Sequence, residues 1–180
     1  MADNKVLVLV GSLRAASINR QLAELAVEQA PEGVELRIFD RLGELPFYNE
    51  DIDTADVAEP VVALRAAAAE ADAALVVTPE YNGSIPGVLK NAIDWLSRPW
   101  GNGALKDKPV AVVGAALGQY GGVWAHDETR KSIGIAGPRV VEDLKLSVPS
   151  KTLDDKHPRE NAEVAGALRD IVGKLTSEVR

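Results

Sequence analysis

The sequence predicts an α/β fold in which a doubly wound parallel sheet of five strands is covered by helices on both faces. Residues 5–10 and 73–77 are continuous apolar runs without polar alternation, as expected for strands that are buried from both sides. Segments with apolar residues at three- and four-residue spacing follow such runs, and the two patterns alternate five times along the chain. With right-handed crossovers, this alternation predicts the strand order 2-1-3-4-5.

The individual elements have their own signals. Ser17 is suited to cap the first helix, which repeats apolar residues from Ile18 onward. Residues 34–38 alternate apolar and charged side chains, which is typical of a half-exposed strand at the edge of a sheet. The predicted strands are residues 5–10, 34–38, 73–77, 109–114 and 139–148, and the predicted helices are residues 18–30, 60–71, 85–95, 123–133 and 160–179.

The composition indicates a single domain that spans residues 1–180. A chain of 180 residues that is 46% hydrophobic can bury a sizeable core. Its formal net charge of -7 argues against nucleic acid and against an anionic membrane surface as partners. The lack of cysteine excludes disulfides and a thiol nucleophile, and it is typical of a reducing compartment. Without a leader pattern or an apolar run of membrane-spanning length, the sequence predicts a cytoplasmic protein with no membrane partner.

The loop after the first strand combines hydroxyls, an amide and a cation at the start of a helix. Ser12, Arg14, Ser17 and Asn19 all lie in this loop. Free N–H groups at a helix N-terminus favour an anion, and a guanidinium adds charge-assisted hydrogen bonds. The segment contains only one glycine and so matches neither the P-loop nor the dinucleotide pattern. It predicts a site for a single terminal phosphate, although Ser17 and Asn19 could also serve only as helix caps.

The loop after the third strand has the features of a site for a flat, polar ring. Tyr81 offers an aromatic face, Asn82 offers an amide donor and acceptor, and Gly83 permits close approach of a ligand. The alternative is that Tyr81, Asn82 and Gly83 merely build a turn, since Asn-Gly is the commonest turn dipeptide. In the order 2-1-3-4-5 this loop faces the phosphate loop across one crevice. A phosphate site beside a planar-ring site predicts flavin mononucleotide, FMN.

Two stretches of the sequence resemble the NADPH-dependent FMN reductases of the flavodoxin-like fold, a family that includes bacterial quinone and chromate reductases. They are Gly-Ser-Leu-Arg-Ala-Ala-Ser-Ile-Asn at residues 11–19 and Thr-Pro-Glu-Tyr-Asn-Gly-Ser-Ile-Pro-Gly-Val-Leu-Lys-Asn-Ala-Ile-Asp-Trp at residues 78–95. The resemblance covers most of the chain. It implies a flavodoxin-like fold with tightly bound FMN, and NADPH or NADH as the hydride donor.

The resemblance also implies which residues bind the cofactor. The phosphate would be bound by Ser12, Arg14, Ser17, Asn19 and the backbone of Ile18. The isoalloxazine and ribityl chain would lie along a second set of residues, namely Pro79, Glu80, Tyr81, Asn82 and Gly83. Gly118, after the fourth strand, matches the family, but Ala115, Ala116 and Leu117 stand where hydroxyl residues are usual. Backbone contacts to the flavin are therefore expected from that loop.

The implied function is two-electron hydride transfer from NAD(P)H to a small acceptor such as a quinone, a flavin or a metal oxyanion. The flavin supplies the chemistry, so no catalytic acid, base or nucleophile is assigned to the protein. Glu80 is interpreted as a carboxylate that shapes its loop, and His126 and His157 as surface or capping residues without metal-ligand partners. The alternative function is that of a flavodoxin-like electron carrier that never reacts with NAD(P)H.

Two further features were left open by the sequence. Family members are typically dimers or tetramers, and Phe47, Tyr48, Trp95 and Trp100 would suit the interface, although buried core is an equal interpretation for Trp95. The ribose 2′-phosphate that distinguishes NADPH from NADH could meet any of three cations or none of them. These cations are Arg98, Lys106 and Arg130.

Overall fold

A computed structural model describes residues 4–179. Its five strands form one parallel sheet in the order 2-1-3-4-5, so the predicted topology is confirmed. The strands are β1 Asn4–Val10, β2 Val34–Ile38, β3 Ala73–Val77, β4 Pro109–Ala116 and β5 Arg139–Pro149. The helices are α1 Ile18–Glu28, α2 Glu59–Glu70, α3 Gly87–Leu96, α4 Val123–Ile135 and α5 Ala162–Ser177. Four short 3₁₀ helices, Leu42–Glu44, Glu50–Ile52, Ser150–Leu153 and Pro158–Glu160, lie in the connections.

The alternation of side chains along the strands creates two separate cores. On one face, Val6 and Val8 of β1 pack with α1 and α5, whereas on the other face Leu7 and Leu9 pack with α2, α3 and α4. The central strand β3 is completely buried. Five helices therefore cover the sheet from both sides, as expected for a doubly wound fold.

The structure adjusts several predicted boundaries. Pro86 is the N-cap residue of α3 and does not lie in the first turn, so this helix begins at Gly87. The terminal helix begins at Ala162 because Asn161 caps it: the Asn161 Oδ1 accepts a hydrogen bond from the Val164 N–H at 3.1 Å. Both helices thus begin two residues after the predicted start.

Trp95 lies in the core. Its side chain is fully buried, its Nε1 donates to the Pro46 carbonyl at 2.8 Å, and Tyr48 packs edge-on against its ring. The core interpretation of Trp95 is therefore confirmed. Phe47 and Trp100, in contrast, are 87% and 72% exposed. Within residues 4–179, no helix is long and apolar enough to cross a membrane.

Candidate functional site

A cavity of about 320 Å³ opens at the carboxyl edge of the sheet, where β1, β3, β4 and β5 end. It lies at the reversal of strand order between β1 and β3, which is where open α/β sheets bind ligands. Of the eleven residues predicted for the site, all except Asn82 and Gly83 line this cavity. The complete lining consists of Ser12, Arg14, Ser17, Ile18, Asn19, Pro79, Glu80, Tyr81, Ala115, Ala116, Leu117, Gly118 and Ser150.

The first turn of α1 presents unused backbone donors to the cavity. Ser17 is the N-cap, and its hydroxyl oxygen accepts a hydrogen bond from the Asn19 N–H at 3.2 Å. The Gln21 N–H makes the first helical hydrogen bond, to the Ser17 carbonyl. Within residues 4–179, the N–H groups of Ile18 and Arg20 have no acceptor. Such orphan donors, together with the helix dipole, create a site for an anion.

Asn19 is held by the end of β4. Its Oδ1 accepts from the Ala115 N–H at 2.9 Å, and its Nδ2 donates to the Ala115 carbonyl, also at 2.9 Å. The side chain is 3% exposed. One Nδ2 hydrogen is left for a ligand, so the amide mainly joins α1 to β4 and its contact with a phosphate stays a prediction.

Ser12 and Arg14 lie on the open side of the same loop. Arg14 is exposed, and its guanidinium makes no hydrogen bond or ion pair with any of residues 4–179. An unpaired guanidinium at a cavity wall is available to an anionic ligand. Together with the orphan N–H groups of α1, it forms the electropositive end of the cavity.

Asn82 and Gly83 form a turn next to the cavity. The backbone groups of Tyr81 and Ser84 exchange hydrogen bonds at 3.1 Å, and the two residues between them have φ of 53° and 74°. These values belong to a two-residue turn of type I′, which favours Asn-Gly. Asn82 and Gly83 therefore form a turn, as the dipeptide predicts. Contact of Asn82 and Gly83 with a flavin ring stays a prediction.

Glu80 caps a helix from a distant part of the chain. The N-cap residue of α4 is Gly122, which has no side chain to offer. The Glu80 Oε2 accepts hydrogen bonds from the Trp124 and Ala125 N–H groups at 3.1 and 3.2 Å. A carboxylate at a helix N-terminus also interacts favourably with the helix dipole. Glu80 therefore positions its loop against α4, in agreement with its interpretation as a loop-shaping carboxylate.

His126 is buried, so its interpretation as a surface or capping residue is wrong. Its Nε2 lies 2.8 Å from the Thr78 carbonyl and its Nδ1 lies 2.7 Å from the Ser147 hydroxyl. Because a carbonyl can only accept, Nε2 carries the hydrogen and Nδ1 accepts from the serine. Desolvation by burial lowers the pKa of His126 below its ordinary value of 6.5, which favours this neutral form. His157, as predicted, is a capping residue: its Nδ1 accepts from the Arg159 N–H.

Gly114 lies where these supports meet beneath the cavity. A Cβ atom at this position would be 2.0 Å from the Thr78 carbonyl oxygen, 2.7 Å from the His126 Nε2 and 2.9 Å from the Asn19 Oδ1. Real Cβ atoms do not approach other atoms this closely. Only glycine fits there, and α1, the β3 loop and α4 converge on it.

The model of the NADPH-dependent FMN reductase family matches residues 4–152 of the sequence. The chain belongs to this family. A quinone reductase of Pseudomonas putida is 45% identical over 175 residues, which cover 97% of this chain and 86% of that protein. A quinone reductase of Escherichia coli K12 is 32% identical over 176 residues, covering 96% and 92% of the two chains.

Solved structures are similar to this FMN reductase as well. The flavoenzyme NAD(P)H:(acceptor) oxidoreductase FerB of Paracoccus denitrificans matches with a TM-score of 0.83 and 30% identity, over 97% of this chain and 98% of that one. The predicted flavodoxin-like fold, the FMN cofactor and the oxidoreductase class are confirmed by these relationships. The chain is an FMN-dependent oxidoreductase that uses NAD(P)H.

The described residues of this FMN reductase fit the cofactor. The orphan N–H groups, hydroxyls and guanidinium at one end match a terminal phosphate, while Pro79, Tyr81 and the last two residues of β4, Ala115 and Ala116, line the part that a ring would occupy. When bound, FMN accepts a hydride and passes two electrons to an acceptor. Arg14, Glu80 and Tyr81 are the titratable side chains in the lining, and Glu80 is already engaged by α4. Among residues 4–179 there is also no group of three His, Asp or Glu side chains placed to bind a metal ion.

Ser150 is a lining residue that the sequence analysis missed. It is buried, and it follows β5 at the same sheet edge as the other site loops. The end of β4 and the residue after it offer no hydroxyl, because Ala115, Ala116 and Leu117 stand there, whereas Ser150 brings a hydroxyl to the lining from the neighbouring strand end. The position was recognisable, since β5 neighbours β4 in the predicted strand order and must end at the same edge.

Proposed function

We propose that this enzyme reduces quinones with electrons from NAD(P)H, and that FMN binds in the cavity between the loops after β1, β3 and β4. The quinone as acceptor is supported by the names of the relatives from P. putida and E. coli. The single observation that carries the proposal is that the anion-binding residues at the start of α1 and the residues proposed to contact the ring, Pro79 and Tyr81, line one cavity.

Each predicted residue that lines the cavity has a role in this proposal that follows from its position. The Ser12 and Ser17 hydroxyls, the Ile18 N–H and the Arg14 guanidinium bind the phosphate of FMN, with the remaining Asn19 hydrogen available to it. Pro79, Tyr81 and the backbone at Gly118 contact the ring, and Glu80 fixes their loop by capping α4. Because the flavin supplies the chemistry, binding and orientation are the contributions of the protein.

The deciding experiment follows the visible absorption of the purified protein. The protein, after incubation with FMN and removal of the unbound cofactor, should be yellow. Anaerobic addition of NADPH should bleach it within the time of one turnover, and benzoquinone should restore the colour. An electron carrier of the flavodoxin type would bind FMN yet stay yellow with NADPH. A protein that stays colourless with FMN would refute the proposed site itself.

The proposal includes at least a dimer in solution. Phe47 and Trp100 are 87% and 72% exposed, and they lie in the connections between β2 and α2 and between α3 and β4. Large exposed aromatic side chains of this kind are typical of protein interfaces. The cytoplasmic location expected from the sequence stays a prediction.

A further inference from the structure

A second cavity of about 320 Å³ adjoins the flavin cavity on the side of α1. The two cavities share part of their walls, namely Arg14, Ile18, Leu117 and Ser150. The remaining wall of the second cavity is formed by the first turn of α1 and by the segment after β5. Its other lining residues are Ala16, Gln21, Lys151, Leu153, Asp155, Lys156 and His157. We call this space the basic cavity.

The basic cavity concentrates positive charge in an acidic protein. Arg14, Lys151 and Lys156 line it, whereas Asp155 is its one carboxylate. Within residues 4–179, none of the three cations forms an ion pair, although ten other Lys and Arg side chains do. The chain as a whole carries a net charge of -7. Unpaired cations that converge on one cavity are an attractive site for a multiply charged anion.

The backbone of the segment after β5 brings two exposed lysines to the cavity. Ser150–Leu153 is a 3₁₀ helix, and Leu153, which is 3% exposed, anchors it in the core. Two residues in the left-handed conformation then reverse the chain, and the Lys156 N–H donates to the Leu153 carbonyl at 2.8 Å. This turn brings Lys151 and Lys156 to the same cavity, five residues apart in the sequence.

The three cations considered from the sequence are less suited to an anion. Lys106 lines a different cavity. That cavity lies at the opposite edge of the sheet, where β3, β4 and β5 begin. Arg130 is 4% exposed. Arg98 lies over the rings of Tyr48 and Trp100, and its Nε donates to the Tyr48 hydroxyl.

We propose that the basic cavity binds a phosphate group of the nicotinamide dinucleotide that donates the hydride. The nicotinamide must lie on the flavin ring, and the shared walls, which include Arg14 and Ile18, place the basic cavity beside the phosphate end of the flavin cavity. The rest of the dinucleotide carries a pyrophosphate and, in NADPH, a ribose 2′-phosphate, and Lys151 and Lys156 offer charge-assisted hydrogen bonds to either. The inference rests on the NAD(P)H-dependent activity and on the proposed position of FMN.

The test uses the FMN-loaded double variant Lys151→Gln/Lys156→Gln, which removes both charges while keeping most of the side-chain length. Arg14 is left unchanged because it also lines the flavin cavity. The matched control is Lys131→Gln/Lys174→Gln, which removes two exposed lysines without ion pairs among residues 4–179 and outside both cavities. Steady-state rates with saturating quinone give kcat and KM for NADPH and for NADH. Calorimetric titration with adenosine 2′,5′-bisphosphate measures binding independently of turnover.

The test variant should raise the KM for NADPH about tenfold or more with kcat within twofold, and the control should change neither. If the KM for NADH is unchanged and the bisphosphate binds at least tenfold more weakly, the group bound is the 2′-phosphate. If both KM values rise alike, it is the pyrophosphate. An unchanged KM for NADPH in the test variant, or an equal rise in the control, would overturn the inference.

The inference would also be overturned if the Lys151→Gln/Lys156→Gln variant lost affinity for FMN but not for riboflavin. The basic cavity would then bind the phosphate of the flavin. Failure of the wild-type protein to bind FMN or to oxidise NADPH would instead contradict the proposed function. The two failures are therefore distinguishable in one set of measurements.

Discussion

Asn19 pairs with both backbone groups of Ala115, 96 residues away in the sequence, in the way that a neighbouring strand would. The side chain thereby extends the hydrogen bonding of β4 by one residue and joins it to the start of α1. Because the pair is buried, its loss leaves a donor and an acceptor without partners.

We therefore expect Asn19→Ala to lower the free energy of unfolding by about 1 to 3 kcal/mol. FMN affinity should fall as well, since the loops after β1 and β4 lose their connection. Urea denaturation and flavin titration measure the two effects. Asn102→Ala, the same substitution at an exposed site, should change neither. Unchanged stability of Asn19→Ala would show that the hydrogen bonds to Ala115 contribute little.

Glu80→Gln should weaken the start of α4. The amide keeps one acceptor for the Trp124 and Ala125 N–H groups but loses the negative charge, so we expect a loss of about 0.3 to 1 kcal/mol in the free energy of unfolding. Thermal unfolding measures this loss, and FMN affinity should decrease with it. The control is Glu163→Gln in the first turn of α5, where Asn161 already provides the cap. Equal losses in the two variants would contradict a special role of Glu80.

His126 should make the protein less stable as the pH falls below about 6.5. Burial depresses the pKa of the folded-state imidazole below 6.5, so in that range the unfolded chain binds the proton more readily than the folded one. Stability from this group is complete above pH 6.5 and is lost as the pH falls toward the depressed value. The slope that this single group contributes is at most about 1.4 kcal/mol per pH unit.

The matched variant for this prediction is His126→Gln, whose amide can donate to Thr78 and accept from Ser147 but cannot titrate. Urea denaturation between pH 5 and 8 should show a smaller slope below pH 6.5 than in the wild type. Identical slopes would mean that His126 titrates alike in the folded and unfolded chains.

Arg14→Ala should discriminate FMN from riboflavin. The guanidinium is exposed, so solvent screens its contact with the phosphate, and we expect about a tenfold loss of FMN affinity. Riboflavin has no phosphate and its affinity should barely change. Fluorescence titrations with both flavins measure the difference, and Arg169→Ala removes a comparable exposed arginine on α5 as a control. A similar loss of affinity for both flavins would show that Arg14 does not contact the phosphate.

Phe47→Glu combined with Trp100→Glu should convert an oligomer into a monomer. Both side chains are among the most exposed large hydrophobic residues of the structure, and charges there would repel across an interface. Light scattering at micromolar concentration measures the mass. Val62→Glu, at a 51% exposed position on α2, should leave the mass unchanged. If the wild-type protein is already monomeric, Phe47 and Trp100 have no interface role.

Local patterns were sufficient to predict the fold and most of the cavity lining. Ser17 could be recognised as a cap because its partner, the Asn19 N–H, lies two residues away. The strand order then followed from general chirality, and it placed the Ser12 and Tyr81 loops on one cavity.

The remaining errors concern residues whose partners are distant in sequence. His126 was assigned to the surface because neither Thr78 nor Ser147 can be recognised as its neighbour without the packed sheet. Likewise, Lys151 and Lys156 belong to no motif, and only the turn that follows Ser150–Leu153 brings them to one cavity. Polar networks and charge clusters of this kind depend on tertiary structure, as does the capping of α4 by Glu80, whereas the local cap at Ser17 and the strand runs do not.

The crowding around Gly114 limits the positions at which substitutions could change the range of electron acceptors. Because α1, the loop after β3 and α4 converge on the backbone of Gly114, none of them can move there without displacing the others. Leu117 and Tyr81 line the same cavity and are 76% and 47% exposed. Substitutions meant to change acceptor preference should therefore be made at these two exposed positions. Libraries for directed evolution should randomise these two positions and keep the glycine fixed.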